Sequence, residues 1–149
     1  MKVKEELYAQ CIAYVNKRQQ TVEEIILSNQ KALQSETKSS AGDKHETGRA
    51  MLQLEREKAG QQLAQIQKTN LILSKIDYQK SANKVSLGSI IYTNKVNYFI
   101  AISAGVIEYN NESFYAISAN TPIAQLLMSK VEGDTVAFRD NTFTITKVL

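Results

Sequence analysis

The spacing of apolar residues changes near residue 80, and this change limits the possible folds more than any other feature of the chain. Before it, apolar and small residues recur every three or four positions, as on one face of a helix. After it, short runs rich in Val, Ile, Tyr, Phe and Thr alternate with Gly, Asn and Asp, as in strands joined by turns. The sequence therefore predicts an α+β protein, with a long antiparallel helical hairpin followed by a small antiparallel sheet and one short helix.

The first part contains two helical seams separated by a polar segment. Helices are expected over 4–36 and 46–77, and the tip of the hairpin near 37–49, where no large apolar side chain occurs. A hairpin this thin buries little surface along its length, so it either reaches into a partner or dimerises as part of a four-helix bundle. A monomer, or weak self-association through the hairpin, is expected. The seams comprise Leu7, Cys11, Tyr14, Thr21, Ile25, Ser28 and Ala32 in the first helix, and Leu52, Ala59, Leu63, Ile66 and Leu73 in the second.

The second part is predicted to be a sheet of four or five antiparallel strands. Residues 1–78 form the hairpin in this interpretation, 79–84 a linker and 85–149 the sheet domain. Asn110-Asn111 and Asp140-Asn141 are predicted hairpin turns because Asn and Asp tolerate left-handed backbone conformations. Pro122 is expected at the first position of a short helix near 122–129. The aromatic residues of this part either pack as core and cross-strand pairs or line a prolyl-binding pocket.

Composition and charge exclude several classes of protein. One Cys and one His cannot form an intramolecular disulfide or a structural zinc site. The net charge of +3 comes from the first 80 residues, where acids are interleaved, so the continuous basic stripe of a duplex-DNA binder is not expected. No apolar run approaches the ~20 residues that are needed to cross a bilayer. The first residues contain acids where a signal peptide would have its apolar segment, so a signal peptide is not expected. A cytoplasmic protein without a membrane partner is expected, with Cys11 as a small buried side chain.

The most specific motif lies at residues 117–134, which read ISANTPIAQLLMSKVEGD. It resembles the pattern I-S-x-[ND]-S-P-[IL]-[AG]-x-x-L-x-x-K-x-x-G-D of the Gre family of bacterial transcript cleavage factors, with Thr121 in place of the usual Ser. Val85, Gly88 and Ser89 extend the match toward the start of the domain. Members of this family have an N-terminal coiled-coil finger and a C-terminal FKBP-like domain, which is the order of parts found here.

The resemblance implies a partner and a docking site. The FKBP-like domain would dock at the rim of the secondary channel of RNA polymerase, and the finger would pass down that channel toward the active centre. The docking contact would be formed by Asn120, Thr121, Pro122 and Ile123. Equally, Asn120 or Thr121 caps the short helix, which is compatible with docking. The protein would meet the RNA 3′ end and DNA only through the elongation complex, would bind no cofactor alone, and would not itself be an enzyme.

The tip carries two acids at the spacing found in the family. Asp43 and Glu46 reproduce D-x-x-E, and in the family such acids help hold the second catalytic Mg²⁺ of the polymerase, since a weakly bound metal gains from additional oxygen ligands. The same spacing is also a helix capping box. The residues from Thr47 to Arg49 depart from the family pattern, so weak cleavage stimulation or none is expected. His45 is either a solvated loop residue or a general base oriented by one of the two acids.

Three functions remain open at this point. The resemblance favours a regulator of transcription elongation that acts through the secondary channel, and it leaves open whether transcript cleavage is stimulated or the channel is only occupied. A function of a different class, that of an FKBP-like peptidyl-prolyl isomerase or peptide-binding chaperone, would require an open aromatic groove in the sheet domain.

Overall fold

The computed structural model describes the backbone of residues 2–38 and 43–149, and the side chains of residues 2–35 and 47–149. Two long helices come first, α1 (Lys2–Lys38) and α2 (Asp43–Ser74). They form the predicted hairpin and begin and end close to the predicted positions. None of the described helices combines the length and the apolar character that a membrane crossing requires.

Six strands and one short helix follow the hairpin. The strands are β1 (Ile90–Thr93), β2 (Asn97–Ala101), β3 (Gly105–Tyr109), β4 (Glu112–Ser118), β5 (Thr135–Phe138) and β6 (Asn141–Val148). The helix α3 (Pro122–Leu127) lies between β4 and β5 in the chain. The strand order in the sheet is β3-β4-β2-β1-β6-β5. The α+β class, with a helical hairpin before a sheet and one short helix, is confirmed.

One strand pairing differs from the prediction. The sheet has six strands instead of four or five, and β2 pairs with β4 in parallel, with Phe99 opposite Ala116. All other neighbours are antiparallel. The difference arises because β3 and β4 form a hairpin of which the second strand, and not the first, lies beside β2. Alternation of apolar residues marks a strand but does not specify its partner.

The two predicted hairpin turns are found, one of them shifted by a residue. Asn110 and Asn111 join β3 to β4 with φ angles of 51° and 64°, the left-handed conformation that Asn tolerates. Between β5 and β6, Phe138 already pairs with Asn141, so the turn residues are Arg139 and Asp140. Arg139 has a φ of 57°.

The core of the sheet domain forms between one face of the sheet and α3. Ala124 and Leu127, the buried residues of α3, are both 0% exposed. They pack in a cluster of buried side chains, to which Leu87, Ile117 and Ile123 are added as half-buried neighbours. The other members of the cluster are Val85, Ile91, Ile100, Val136, Phe143 and Ile145. Most of this core comes from residues that alternate along the strands, as the sequence pattern predicts.

The seam of α1 is displaced by one position in its outer part. Leu7 and Cys11 are 0% exposed, as predicted. Beyond them the buried positions are Val15, Val22 and Asn29, whereas the predicted Tyr14, Thr21, Ile25 and Ser28 are exposed. The displacement is a single step, because the buried line continues from Cys11 to Val15 after four residues instead of three, and Val15, Val22 and Asn29 then keep a seven-residue spacing. In α2 the predicted Ala59, Ile66 and Leu73 are buried.

The chain divides into two compact units. One comprises Val15–Thr69, which is the larger part of the hairpin. The other combines Met1–Tyr14 with Asn70–Leu149, so it contains the base of the hairpin together with the whole sheet. The predicted linker, 79–84, lies within the second of these units.

Long-range hydrogen bonds join the segments of the second unit. The side-chain amide of Gln10 donates to the carbonyl oxygen of Glu108 (2.7 Å), and its oxygen accepts from the Glu108 N–H (3.3 Å). Since β3 is an edge strand, Gln10 takes the place of a neighbouring strand at this residue. Lys4, 3% exposed, donates to the carbonyl of Lys80 (2.7 Å). Burial lowers the pKa of the Lys4 ammonium, an effect partly offset by the nearby Asp77 carboxylate.

Candidate functional site

The turn between β4 and α3 has a dense hydrogen-bond network. The hydroxyl of Thr121 donates to the carbonyl of Ser118 (2.9 Å), and the backbone N–H of Thr121 donates to the same oxygen (3.1 Å). The Ser118 hydroxyl donates to the side-chain oxygen of Asn120. The side chain of Gln125 reaches back to the Asn120 carbonyl at 3.5 Å. These bonds fix the backbone of residues 118–121 before the helix begins.

Thr121 is the N-cap of α3. Its backbone is extended, with φ −72° and ψ 152°, and its hydroxyl accepts from the N–H of Ala124. Pro122 opens the helix, where the missing N–H of proline costs nothing and its restricted φ favours the helical conformation. Of the two capping residues that the sequence allows, the structure therefore selects Thr121.

The four predicted docking residues lie together but differ in exposure. Asn120 and Pro122 are exposed to solvent. Thr121 is half-buried and engaged in the cap, and Ile123 packs against the core of the sheet domain. Of these four residues, only Asn120 and Pro122 are exposed, and Thr121 and Ile123 hold them in position.

The rest of the motif forms the framework of the domain. The carboxylate of Asp134 accepts from the N–H of Val131 (2.9 Å). The N–H of Gly133 donates to the carbonyl of Ile145 (2.8 Å). Together with the buried Ala124 and Leu127, these motif residues have roles in the folding of the domain. Asn120 and Pro122, by contrast, are exposed and have no such buried role.

The tip acids fall largely outside the described residues. Residues 39–42 are not described, and neither are the side chains of Asp43, His45 and Glu46. The backbone of α2 begins at Asp43, so Asp43 and Glu46 belong to its first turn. Acidic residues at this position interact favourably with the helix dipole. In the part of the chain whose side chains are described, no group of three or more His, Cys, Asp or Glu residues could hold a metal ion.

The aromatic residues of the sheet pack against one another. Tyr98 lies opposite Tyr115 on the paired strands β2 and β4, with ring centroids 6.2 Å apart, and its ring is 6.0 Å from that of Phe143. Tyr92 meets Phe114 edge to face at 5.6 Å. Burial, and to a smaller extent the neighbouring Tyr115, raises the pKa of the Tyr98 hydroxyl. Such pairs are typical of cross-strand packing.

Two contributors to the turn are missing from the predicted docking set. Ser103 accepts from the N–H of Ser118 (3.3 Å), and Gln125 bonds to Asn120. The bond from Gln125 joins a side chain of α3 to a backbone carbonyl five residues earlier, outside the three- and four-residue spacings that a helical pattern indicates. The contact with Ser103 is non-local and has no such signal.

No known family model matches the chain, and no curated protein matches it in sequence.

Proposed function

We propose that this protein is a regulator of transcription elongation of the Gre type, which binds bacterial RNA polymerase through its secondary channel. The observation that carries the proposal is the β4–α3 turn, where Asn120 and Pro122 are exposed on a backbone fixed by a helix cap and by the hydrogen bonds of Ser118. The same chain begins with the long helical hairpin that such a function requires. The cytoplasm is the compartment that follows from this partner.

A fixed turn is suited to docking for an energetic reason. Association costs conformational entropy for every segment that becomes ordered, so a loop already held in one conformation retains more of its contact energy. Thr121 and Ile123 supply this order, one through the cap and the other through core packing. Asn120 offers an amide for hydrogen bonding, and Pro122 offers a rigid apolar surface beside it.

The hairpin supplies the part that enters the channel. Each helix is about 10–12 Å across with its side chains, so a pair of helices makes a narrow finger. Asp43 and Glu46, in the first turn of α2, would lie at its tip and add oxygen ligands to the Mg²⁺ that the polymerase binds. The hydrolysis would be performed by the polymerase, and this chain would act without being an enzyme or holding a cofactor of its own.

Occupation of the channel is the favoured mode, with weak cleavage stimulation or none. In the sequence, Arg49 stands where the family pattern has an acid and Ala50 stands where it has an aromatic residue, so the tip segment carries an additional cation. A cation there competes with the metal for the same carboxylates. The isomerase alternative finds no support in the sheet, because its aromatic rings pack against one another.

The proposal is tested by co-purification with bacterial RNA polymerase. The wild-type chain is expected to bind the polymerase, and the double variant Asn120→Ala/Pro122→Ala is expected to bind at least about tenfold more weakly, a loss of ~1.4 kcal/mol. Asn141→Ala/Glu132→Ala alters two exposed residues of the same unit away from the turn and should bind normally. Circular dichroism checks that all chains are folded. Equal recovery of polymerase by the wild type and the turn variant would contradict the proposal.

A further inference from the structure

The residues that the sequence predicted as the outer seam of α1 form a second line beside the buried one. Thr21, Ile25 and Ser28 are exposed and Ala32 is half-buried, whereas the buried line runs through Val22. The four residues keep the four-then-three spacing of a coiled-coil seam, so they lie on one face of the helix. This face suits packing against a further helix, and the described part of α2 leaves it exposed.

α2 adds apolar surface beside this seam. A groove of about 290 Å³ runs between the two helices, and Ile25, Ala32, Leu52 and Glu55 are among the residues that line it. Met51, 60% exposed, lies one helical turn before Glu55 and therefore on the same side of α2. The volume is close to the lower limit for small-molecule sites, so the groove suits single side chains of a packed partner better than a separate ligand.

The charges on this side of α2 are complementary to those of a second copy. Glu55 and Lys58 are both exposed and lie three residues apart, which places them on one face of the helix. Within the described part of the chain, neither takes part in an ion pair. Two antiparallel copies of α2, centred between Arg56 and Glu57, bring Glu55 of each copy opposite Lys58 of the other. A two-fold interface repeats every contact, so this pairing occurs twice.

The same arrangement determines which residues of α1 meet. The side chain of Asn29 donates to the carbonyl of Leu52 (2.9 Å), so these two residues are level along the hairpin. Counting along both helices from this bond, the centre of the α2 pair is level with Glu24 and Ile25. The Ile25 side chains of the two copies then meet near the axis, and the two Glu24 carboxylates approach each other. A parallel pair would instead bring Glu24 of one copy against Glu55 of the other, which is less favourable because both repeats of that contact join like charges.

We propose that this face of the hairpin is the interface of an antiparallel homodimer, in which two hairpins form a four-helix bundle. About 12 residues of each helix take part, a length of ~18 Å, and two helices are ~20 Å wide. The two copies together bury roughly 800 Å², below the ~1,200 Å² of stable interfaces, so the dimer is weak and reversible. It does not depend on the function of the β4–α3 turn.

Sedimentation equilibrium of the full chain measures the association. The wild type is expected to dimerise with a Kd of about 100 µM, in the range of weak contacts. Glu55→Gln should weaken the dimer at least about threefold, because it removes the attraction to Lys58 of the second copy. Glu24→Gln should strengthen it by a similar factor, because it removes the repulsion near the axis. Both variants remove one negative charge, so an effect of net charge alone would change the Kd in the same direction and would overturn the proposal.

A mixture of two charge variants tests the pairing between copies. Glu55→Lys and Lys58→Glu each place like charges opposite one another and should weaken self-association about tenfold. An equimolar mixture should form a heterodimer, because the two cations of one chain then meet the two acids of the other. Glu132→Lys and Lys95→Glu, at exposed positions of the other compact unit, provide the matched control. They should associate as the wild type does, both alone and mixed.

A pair of apolar substitutions in α1 identifies the face that is covered. Ile25, 43% exposed, lies in the interface, and Ile25→Gln should weaken the dimer at least about tenfold. Leu27, 54% exposed, is two residues further along and so lies on another face of α1, and Leu27→Gln should leave the Kd unchanged. Circular dichroism checks that every variant is folded. The proposal is overturned if the wild type stays monomeric at about 1 mM, if both glutamine variants have the same effect, or if the mixture of charge variants does not restore association.

Discussion

Burial of Cys11 changes the acidity of its thiol and, with it, the stability of the protein at alkaline pH. The side chain is 0% exposed, and burial raises its pKa from 9.0 to about 12. Since the folded pKa lies above the unfolded one, the thiol favours folding fully below pH 9, and this contribution is lost as the pH rises toward 12. The stability difference between wild type and Cys11→Ala should therefore fall above pH 9 by up to ~1.4 kcal/mol per pH unit.

Urea unfolding of both chains between pH 7 and pH 11 measures this difference. If the free energies of unfolding of the two chains change in parallel with pH, the folded state stabilises the Cys11 thiolate. A thiol-reactive reagent at pH 8 provides a control for exposure. The folded protein should react slowly, and the unfolded chain should react at the rate of a free thiol.

Substitutions at Asp43 distinguish the two roles assigned to the tip acids, metal binding and helix capping. The sequence predicts Asp43 as the cap of α2, and since Asn caps a helix about as well as Asp, Asp43→Asn would remove the charge and keep such a cap. If the carboxylate faces the polymerase Mg²⁺, this variant should lose any cleavage of transcripts in stalled elongation complexes without losing thermal stability. Asp43→Ala should in addition lose ~0.5–2 kcal/mol of stability through the missing cap.

The same measurement shows whether the tip residues that differ from the family pattern reduce transcript cleavage. Because the residues from Thr47 to Arg49 depart from the family pattern, weak shortening of transcripts or none is expected even in the wild type. Robust shortening that depends on Asp43 would show that these departures matter little. An Asp43→Asn chain that behaves as wild type in every assay would leave capping as the role of this residue.

Among the elements, the segment that leads into β1 depends on a glycine. Gly88 has a φ of 90°, and a Cβ atom added there would lie 3.0 Å from Cγ2 of Ile76. Gly88→Ala therefore combines backbone strain with a close contact and should lower the free energy of unfolding by ~1–3 kcal/mol. Thermal or urea unfolding followed by circular dichroism measures the change.

Gly60, in α2, provides the matched control for this substitution. A Cβ atom added there meets no atom within 4 Å. Since alanine loses less backbone entropy than glycine in a helix, Gly60→Ala should raise stability by ~0.5–1 kcal/mol. The two glycine-to-alanine substitutions are thus expected to change the free energy of unfolding in opposite directions. A neutral Gly88→Ala would mean that the segment 85–89 can move away from Ile76.

Elements governed by local chemistry could be predicted from the sequence, and those governed by distant contacts could not. A cap at Asn120 or Thr121, the helix start at Pro122 and the turn at Asn110 follow from side chains that act on their own backbone, although the sequence did not choose between the two caps. The parallel pairing of β2 with β4 depends on which strand of a hairpin docks, and the bond from Gln10 to Glu108 joins residues far apart in the chain. At the candidate site, the motif predicted the turn, and only the structure separated exposed Asn120 and Pro122 from supporting Thr121 and Ile123.

At the scale of the whole molecule, Gln10 joins the base of the hairpin to an edge of the sheet. Its two hydrogen bonds to Glu108 should contribute about 0.5–1.5 kcal/mol each to stability. Gln10→Ala is therefore expected to lower the free energy of unfolding by ~1 kcal/mol or more and to speed hydrogen exchange at the Glu108 amide. Native-state exchange measured by NMR follows that amide directly.

Gln53→Ala is a suitable control, since Gln53 is exposed on α2 and lies in the other compact unit. It should leave both the exchange rate at Glu108 and the stability nearly unchanged. An unaltered exchange rate in Gln10→Ala would show that another group protects the edge of β3.

The discontinuous unit, Met1–Tyr14 with Asn70–Leu149, has a consequence for synthesis on the ribosome. The segment with Leu7 and Cys11 emerges early, but strand β6, which lies between β1 and β5, emerges late. At ~5–20 residues per second, several seconds separate the two events. During that time the nascent chain can form the hairpin unit, while Met1–Tyr14 lacks the C-terminal part of the unit to which it belongs and is open to co-translational chaperones.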